Sequence, residues 1–256
     1  MPYAPKFCFE EFGDAAPAHL EEEFSRITEG IYPPAVERMK REGYDPLIIG
    51  NSHDVPWDFP KVIAESFGGV LPERRLRIGA EMMPQQLEWL SDFLRCAKEY
   101  AANKTIRGEK PSDELVDDLR SYQRSLSGSH KGMLHCIDAG MEILPLEHPD
   151  FQAWVMQDRA SPLVEESQWA ESLEWNDLQP AYTSIRRERH SLDVLDRERP
   201  DVVIVGTYHA LKYDLLLGRN GARCHLYSIE PLRWDQTLRM WREAHDLYRK
   251  NALQPA

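Results

Sequence analysis

Two stretches of the chain are almost entirely aliphatic, and both end in a glycine. They cover residues 46–50 and residues 201–206. A strand that is buried on both faces has such an unbroken run, whereas a strand with one solvent-exposed face alternates apolar and polar residues. The two runs therefore predict central strands of a parallel type. Shorter apolar runs predict further strands at residues 76–83, 141–147 and 222–229. Pro145, inside the second of these, indicates either an edge position or an early end for that strand.

The segments between these runs have the spacing of helices that bury one face. Predicted helices cover residues 31–42, 58–68, 84–101, 112–126, 130–139, 182–199, 213–217 and 232–250, with a break at residues 127–129. The alternation of strands and helices predicts an α/β fold with a mixed, mostly parallel central sheet flanked by helices. We expect a single domain over residues 1–256. Within it, residues 1–30 are expected to form a loose lead-in with a short helix, and residues of about 150–180 a helical insertion that could act as a lid.

Composition narrows the classes of partner. The formal net charge of −12 argues against nucleic acid or an anionic membrane surface as the main partner. No apolar stretch approaches the roughly 20 residues that span a bilayer. The four cysteines are widely spaced, as is typical of reduced thiols in a cytoplasmic protein. We therefore expect a cytoplasmic protein, and the sequence predicts no oligomeric state.

Both central strands continue into the same pattern, Gly-x-x-His. Gly50 is followed by His53, and Gly206 is followed by His209. Open α/β sheets bind their ligands outside the carboxyl ends of the strands, so both imidazoles are expected at that edge. Glu81 directly follows the apolar part of the strand predicted at residues 76–83 and belongs to the same edge. The sequence thus predicts one site built from His53, Glu81 and His209.

Two imidazoles and a carboxylate suit a divalent metal such as zinc, manganese or cobalt. A metal of this kind would make its bound water a nucleophile for hydrolysis. Without a metal, the same groups could work as a general base and acid. Each residue also has a simpler interpretation. A histidine after a strand is often a loop or core residue, and Glu81 could stabilise the start of the helix predicted from Pro84.

Other polar residues lie near these strand ends and could support the site. Asn51, Asp54 and Tyr208 lie within or next to the two Gly-x-x-His motifs. Glu147 and His148 follow the strand predicted at residues 141–147, where a solvated loop is the simpler interpretation. The charged run at residues 186–190 is read as a solvated helix face, although one of its arginines could turn inward to hold an oxyanion.

The order of these motifs resembles the TraB/Tiki/ChaN superfamily, to which the erythromycin esterases are distantly related. The resemblance rests on strand-Gly-x-x-His-Asp, Ala-Glu-Met, Ala-Gly-Met-Glu-Ile-Leu-Pro-Leu, Glu-Arg-His and Pro-Asp-Val-Val-Ile-Val-Gly-x-x-His-Ala. It runs from about residue 47 to 217, without residues 150–180. The resemblance implies an α/β fold and a site formed by His53, Glu81 and His209. It also implies that Arg189, the arginine of the Glu-Arg element, belongs to the site and stabilises negative charge there.

The activities that the resemblance implies are diverse: metal-dependent peptide cleavage, lactone hydrolysis and haem binding. A small-molecule or peptide substrate is the expectation that goes with this family resemblance. Many relatives have Glu directly after the first glycine, whereas this chain has Asn51, a weaker ligand and a poor base. The leading hypothesis is a metal-dependent hydrolase of a peptide, ester or lactone bond. The alternative is a non-catalytic protein that binds haem or another small ligand in the same cleft, where Met82, Met83 and Tyr208 would matter. A third is a scaffold that binds partners through residues 150–180.

Overall fold

The computed structural model describes most of the chain, with gaps. Backbone is described at residues 18–32, 34–51, 57–67, 69, 74–160, 175–217, 224–226 and 233–252. Within these ranges, side chains are not described at residues 157–160, 175–180, 224–226 and 251–252. His53 and Asp54, two of the predicted site residues, lie outside the described residues.

The centre of the fold is a five-stranded sheet. Its strands are β1 (Leu47–Asn51), β2 (Arg77–Ala80), β3 (Glu142–Pro145), β4 (Val202–Gly206) and β5 (Cys224–Leu226). Their spatial order is β3-β2-β4-β1-β5, and every pairing among these described strands is parallel. The predicted α/β fold is confirmed, and the sheet is parallel rather than mixed over these strands. β3, which contains Pro145, lies at the edge as its proline predicts.

Ten helices surround the sheet in the described ranges. They are α1 (Leu20–Thr28), α2 (Pro34–Arg41), α3 (Phe59–Ser66), α4 (Pro84–Asn103), α5 (Asp113–Ser125), α6 (Gly128–Asp138), α7 (Phe151–Ala160), α8 (Trp175–Glu198), α9 (Thr207–Leu217) and α10 (Trp234–Ala252). Side chains that precede three of them accept a hydrogen bond from the first helical turn: Asp58 before α3, Ser112 before α5 and Ser127 before α6. None of the helices within the described ranges has the length and apolar character needed to cross a membrane.

The sheet separates two hydrophobic cores, which explains the unbroken aliphatic runs. On one face, Ile48 and Val203 pack in a core that also holds residues of α1, α2, α9 and α10. On the other face, Ile49 and Ile204 pack with residues of α3, α4 and α6. Successive residues of a strand point to opposite faces, so a sheet covered on both sides requires apolar residues at every position.

One expectation about local structure is met and another is corrected. The short helix expected within residues 1–30 is present as α1, whose Phe24 is buried against Trp241 of α10, and residues 1–17 lie outside the described residues. The helix expected at residues 213–217 begins six residues earlier, directly after β4. His209 therefore lies in the first turn of α9 and not in a loop. The insertion expected at about 150–180 contains α7 and the start of α8, and residues 161–174 lie outside the description.

Gly132 is a position where α6 packs too closely for any side chain. A Cβ atom added there would lie 2.5 Å from ring atoms of Phe59 and 2.8 Å from the carbonyl oxygen of Trp57. We expect Gly132→Ala to lower the free energy of unfolding by about 1–3 kcal/mol, because overpacking outweighs the better helix propensity of alanine. Urea denaturation measures the change. His135→Ala, at an exposed position of the same helix, should stay within about 0.5 kcal/mol of the parent. Equal stabilities of the two variants would contradict the close packing.

Candidate functional site

The carboxyl edge of the sheet gathers polar side chains from four neighbouring strand ends. Asn51 is the last residue of β1, Glu81 directly follows β2, Glu147 lies two residues after β3, and His209 lies three residues after β4. Arg187 reaches the same edge from α8. Since parallel strands all end on one side, the topology itself brings these residues together from distant parts of the sequence.

Arg187 lies between two buried carboxylates. Its Nη2 atom contacts the carboxylate of Glu81 and also that of Glu147. The second oxygen of Glu81 accepts the backbone N–H of Gly206, which ties the end of β2 to the end of β4. Glu81 and Glu147 expose only 8% and 6% of their side chains, so each ionised carboxylate needs a partner. One guanidinium serves both, and the ring of Phe151 lies 4.7 Å from it.

His209 is held in one orientation by charged groups on both ring nitrogens. Its Nδ1 atom lies 3.0 Å from Oε1 of Glu188, which is fully buried. Its Nε2 atom lies 3.3 Å from Nη1 of Arg187 and 3.8 Å from Oε1 of Glu81. An ionised carboxylate only accepts and a guanidinium only donates. The imidazole therefore donates from Nδ1 and accepts at Nε2, which defines its neutral form with the proton on Nδ1.

Glu188 is ionised although it is completely buried. Burial alone would raise the pKa of this carboxyl group, since desolvation penalises the charged form. The ammonium of Lys212, 2.7 Å away, and the hydrogen bond from His209 outweigh that effect and lower the pKa of Glu188 below its usual value. The carboxylate of Glu188 thus stays ionised and accepts hydrogen bonds throughout the physiological pH range. The orientation that it gives to the His209 ring is therefore not lost by protonation of Glu188.

A cavity of about 390 Å³ opens beside this cluster. Arg187, Glu81 and Glu147 form its polar wall, and Ser129 and His130 face it from the first turn of α6. Its apolar lining includes Met82, Met83 and Met133. The size and the mixture of an apolar wall with a few convergent polar groups are typical of small-molecule sites. Two larger cavities, of about 610 and 450 Å³, lie at α1 and α2 and at α4 and α5, away from this edge.

Several predicted residues are present at this edge. Glu81 and His209 lie together, as their strand ends predict. Glu147 and Asn51 line the cavity, and Asn51 accepts a hydrogen bond of 3.2 Å from the hydroxyl of Ser129. His53 and Asp54 lie outside the described residues, so the predicted group of His53, Glu81 and His209 stays a prediction.

Other predicted residues do not join the cluster. The guanidinium of Arg189 faces α10, where it donates a 2.6 Å hydrogen bond to the hydroxyl of Tyr248. Arg187, two residues earlier, takes the place expected for Arg189, because positions two apart on a helix point in nearly opposite directions. His148 stacks on Trp154 with ring centroids 4.3 Å apart. Tyr208 is 51% exposed.

The sequence contained a signal for Glu188 that the charged run at residues 186–190 obscured. Ile185, Glu188, Leu192 and Leu195 recur at helical spacing, and all four are fully buried. A carboxylate on the buried stripe of a helix requires a charged partner. The partner is Lys212, one turn after His209 on α9, and only 3% of its side chain is exposed. Lys212 belongs to no motif, and Glu188 is the glutamate of the Glu-Arg-His element, from which only Arg189 was assigned a role. The buried stripe is therefore the clue to the position of Glu188.

The described residues do not fit a metal ion in this arrangement. Glu81 Oε1 and His209 Nε2 are close enough to share an ion, but the guanidinium of Arg187 already contacts both atoms. An ion bound there would have to displace this cation. Within the described ranges, no group of three His, Cys, Asp or Glu side chains is placed to hold a metal.

Comparison of the chain with protein-family models, with curated proteins and with solved structures found no match. The fold and the site by themselves define a class: a parallel α/β protein with a buried charged cluster at the carboxyl edge of its sheet. The resemblance to the TraB/Tiki/ChaN superfamily stays a prediction, and the function is argued from the site alone.

Replacing Arg187 with methionine would leave two buried carboxylates without their shared cation. We expect Arg187→Met to lower the free energy of unfolding by about 3–5 kcal/mol at pH 7, as for other buried pairs that lose one partner. Adding Glu147→Gln should recover part of this loss, because it removes one of the unpaired charges. Arg189→Met, the matched control, removes one hydrogen bond and one cation–π contact, both with Tyr248, and should cost about 1–2 kcal/mol. Denaturant unfolding of the four proteins measures these values, and similar losses for Arg187→Met and Arg189→Met would refute the assignment.

His245 on α10 gives the protein an acid-sensitive stability. Burial, reinforced by the charge of Lys212, lowers the pKa of His245 from 6.5 to about 4. Because the folded value lies below the unfolded one, the unfolded chain binds more protons between them. The stability that depends on neutral His245 is therefore fully present above pH 6.5. As the pH falls towards 4, the free energy of unfolding decreases by on the order of 3 kcal/mol. Thermal or urea unfolding of the parent and of His245→Gln, measured from pH 7 to pH 4, tests this prediction, and the variant should lose less stability over this range. If the stabilities of the two proteins fall equally with pH, burial does not lower the pKa of His245.

Proposed function

We propose that the protein is a hydrolase of acyl bonds, in peptides, esters or lactones, in which His209 is the general base and Arg187 stabilises the developing oxyanion. The observation that carries the proposal is the pair of Glu188 and His209, which directs a proton-accepting Nε2 towards Arg187 at the wall of the cavity. A base oriented by a carboxylate, next to a group that can stabilise an oxyanion, is an arrangement that enzymes use for acyl transfer.

The reaction follows from the positions of these groups. A substrate carbonyl in the cavity would bind to Arg187 and draw Nη1 away from Nε2, so that a water molecule enters beside the imidazole. Nε2 takes a proton from the water as its oxygen attacks the carbonyl carbon, and the negative charge that develops on the carbonyl oxygen lies against the guanidinium. The imidazolium then returns the proton to the leaving amine or alcohol as the acyl bond breaks.

Glu81 has a different part in this scheme. Its two oxygens accept hydrogen bonds from Arg187 and from the backbone of Gly206, so it keeps Arg187 at the sheet edge. A carboxylate held by a guanidinium is a weak base, whereas imidazole exchanges protons near neutral pH. The proposal therefore gives proton transfer to His209 and the positioning of Arg187 to Glu81. It assigns no step to a metal, because Arg187 contacts both described donor atoms.

Small-ligand binding without catalysis is the second candidate. The apolar wall formed by Met82, Met83 and Met133 favours it, since such a surface binds ligands without any chemistry. Haem is the ligand that the family resemblance suggests, and a Soret band on titration with haem would support this alternative. In either case the buried free thiols of Cys96 and Cys136 and the net charge of −12 favour a cytoplasmic protein with a small-molecule or peptide ligand.

The test compares two histidine variants on a panel of p-nitrophenyl esters, γ-lactones and fluorogenic peptides. His209→Asn should lower kcat/KM by about 10²–10⁴-fold, which is the usual contribution of a general base. His135→Asn, at an exposed position of α6, should leave kcat/KM unchanged. EDTA treatment should also leave it unchanged.

Two results would contradict parts of this proposal. Equal activity of His209→Asn and the parent would remove His209 as the base. Loss of activity on chelation, with recovery on adding back zinc or manganese, would show instead that the metal predicted for His53, Glu81 and His209 is required.

A further inference from the structure

Glu188 is surrounded by hydrogen-bond donors from separate parts of the chain. Its Oε1 atom accepts from Nδ1 of His209 at 3.0 Å and from Nζ of Lys212 at 2.7 Å. Its Oε2 atom accepts from the hydroxyl of Tyr32. Both oxygens of this fully buried carboxylate are thus engaged, which leaves its side chain one orientation. The three donors come from α9 and from the connection between α1 and α2.

Lys212 is the most unusual of these donors. Its side chain is 3% exposed, and its ammonium lies 5.5 Å from the centre of the Trp241 ring. A buried ammonium is costly unless it is paired, and apolar residues of similar volume often stabilise a core as well or better. Lys212 follows His209 by three residues, so both side chains lie on the same face of α9 and reach the same oxygen of Glu188. The ion pair of Lys212 and Glu188 therefore affects the position of the His209 ring as well as the stability of the fold.

Tyr32 completes the arrangement from the other side. Its hydroxyl donates to Glu188 and also lies 3.2 Å from Nε2 of His245, whose Nδ1 donates to the carbonyl of Trp241 at 2.5 Å. The ring of Tyr32 packs edge-on against His245 of α10, with centroids 5.9 Å apart. The bond to Glu188 and the packing of the ring against His245 hold the hydroxyl in place before any ligand binds, so Oε2 of Glu188 keeps its donor.

We infer that Lys212 and Tyr32 are positioning residues, which act through Glu188 to keep the proton of His209 on Nδ1 and leave Nε2 as the acceptor. Without Lys212, Glu188 would lose its strongest partner and could no longer enforce one tautomer of the imidazole. Without Tyr32, the carboxylate would keep its charge but would lose the donor that fixes Oε2. The inference deepens the proposed function, because it concerns the same imidazole.

The tautomer can be measured without any substrate. In ¹⁵N-labelled protein, long-range ¹H–¹⁵N spectra distinguish a protonated Nδ1 from a protonated Nε2, and His209→Asn assigns the signals of His209. The parent should show protonation on Nδ1. Lys212→Met should make the Nε2-protonated form detectable, and Tyr32→Phe should do so to a smaller extent. Lys98→Met, at a residue whose side chain is 59% exposed, is the control and should match the parent.

A second variant tests the same inference if Lys212→Met does not fold. The double variant Lys212→Met with Glu188→Gln removes both buried charges, and it should also release the tautomer. If every folded variant keeps His209 protonated only on Nδ1, the inference is overturned. Where a substrate is found, we expect Lys212→Met and Tyr32→Phe to lower kcat by about 10- to 100-fold with little change in KM, as is typical of groups that orient a functional histidine. A parent that hydrolyses nothing yet shows the expected tautomer changes would refute the proposed function and leave the positioning role standing.

Discussion

The guanidinium of Arg187, shared by two buried carboxylates, is the interaction on which the candidate site depends. Parallel pairing places the ends of β2 and β3 side by side, and each is followed by a glutamate, Glu81 and Glu147. Two carboxylates this close repel each other in a protein interior unless a cation lies between them. α8 supplies that cation, and the same helix supplies Glu188 one residue later. The arrangement at the edge of the sheet therefore depends on how α8 packs across the fold.

The strands were predictable because burial on both faces leaves an unbroken aliphatic run, and β3 could be placed at an edge because proline lacks a ladder donor. The start of α9 was not predictable by the same means. The five consecutive residues from Ala210 to Asp214 are all buried, so polar and apolar positions of this helix show no period of 3.6. Most of α9 is buried, although Tyr208 in its first turn is exposed, and such a helix is recognised only once its neighbours are known. Because α9 begins at Thr207, His209 lies in the first helical turn and not in a loop.

The site was only partly predictable, and the reason is geometric. Strand ends predict which residues share an edge, which is why Glu81 and His209 are found together. A sequence motif does not say which face of a helix a residue occupies, and Arg187 and Arg189 differ by roughly 200° around α8. Arg189 lies against Tyr248 and Arg187 lies at the cavity for that reason alone. Glu188 is the glutamate of the Glu-Arg-His element, but its burial could be predicted from the stripe that it shares with Ile185 and Leu192.

The charges of the described cluster support a role for His209 in proton transfer. Three carboxylates, Glu81, Glu147 and Glu188, face two cations, Arg187 and Lys212, so with a neutral imidazole the cluster carries one negative charge in excess (three minus two). A buried network kept for stability alone gains little from an unbalanced charge, since apolar residues would pack as well. In the proposed reaction, the proton that Nε2 of His209 takes from water gives this cluster equal numbers of positive and negative charges. That proton arrives between Glu188 and Glu81, whose carboxylates are already held in place by Lys212 and Arg187.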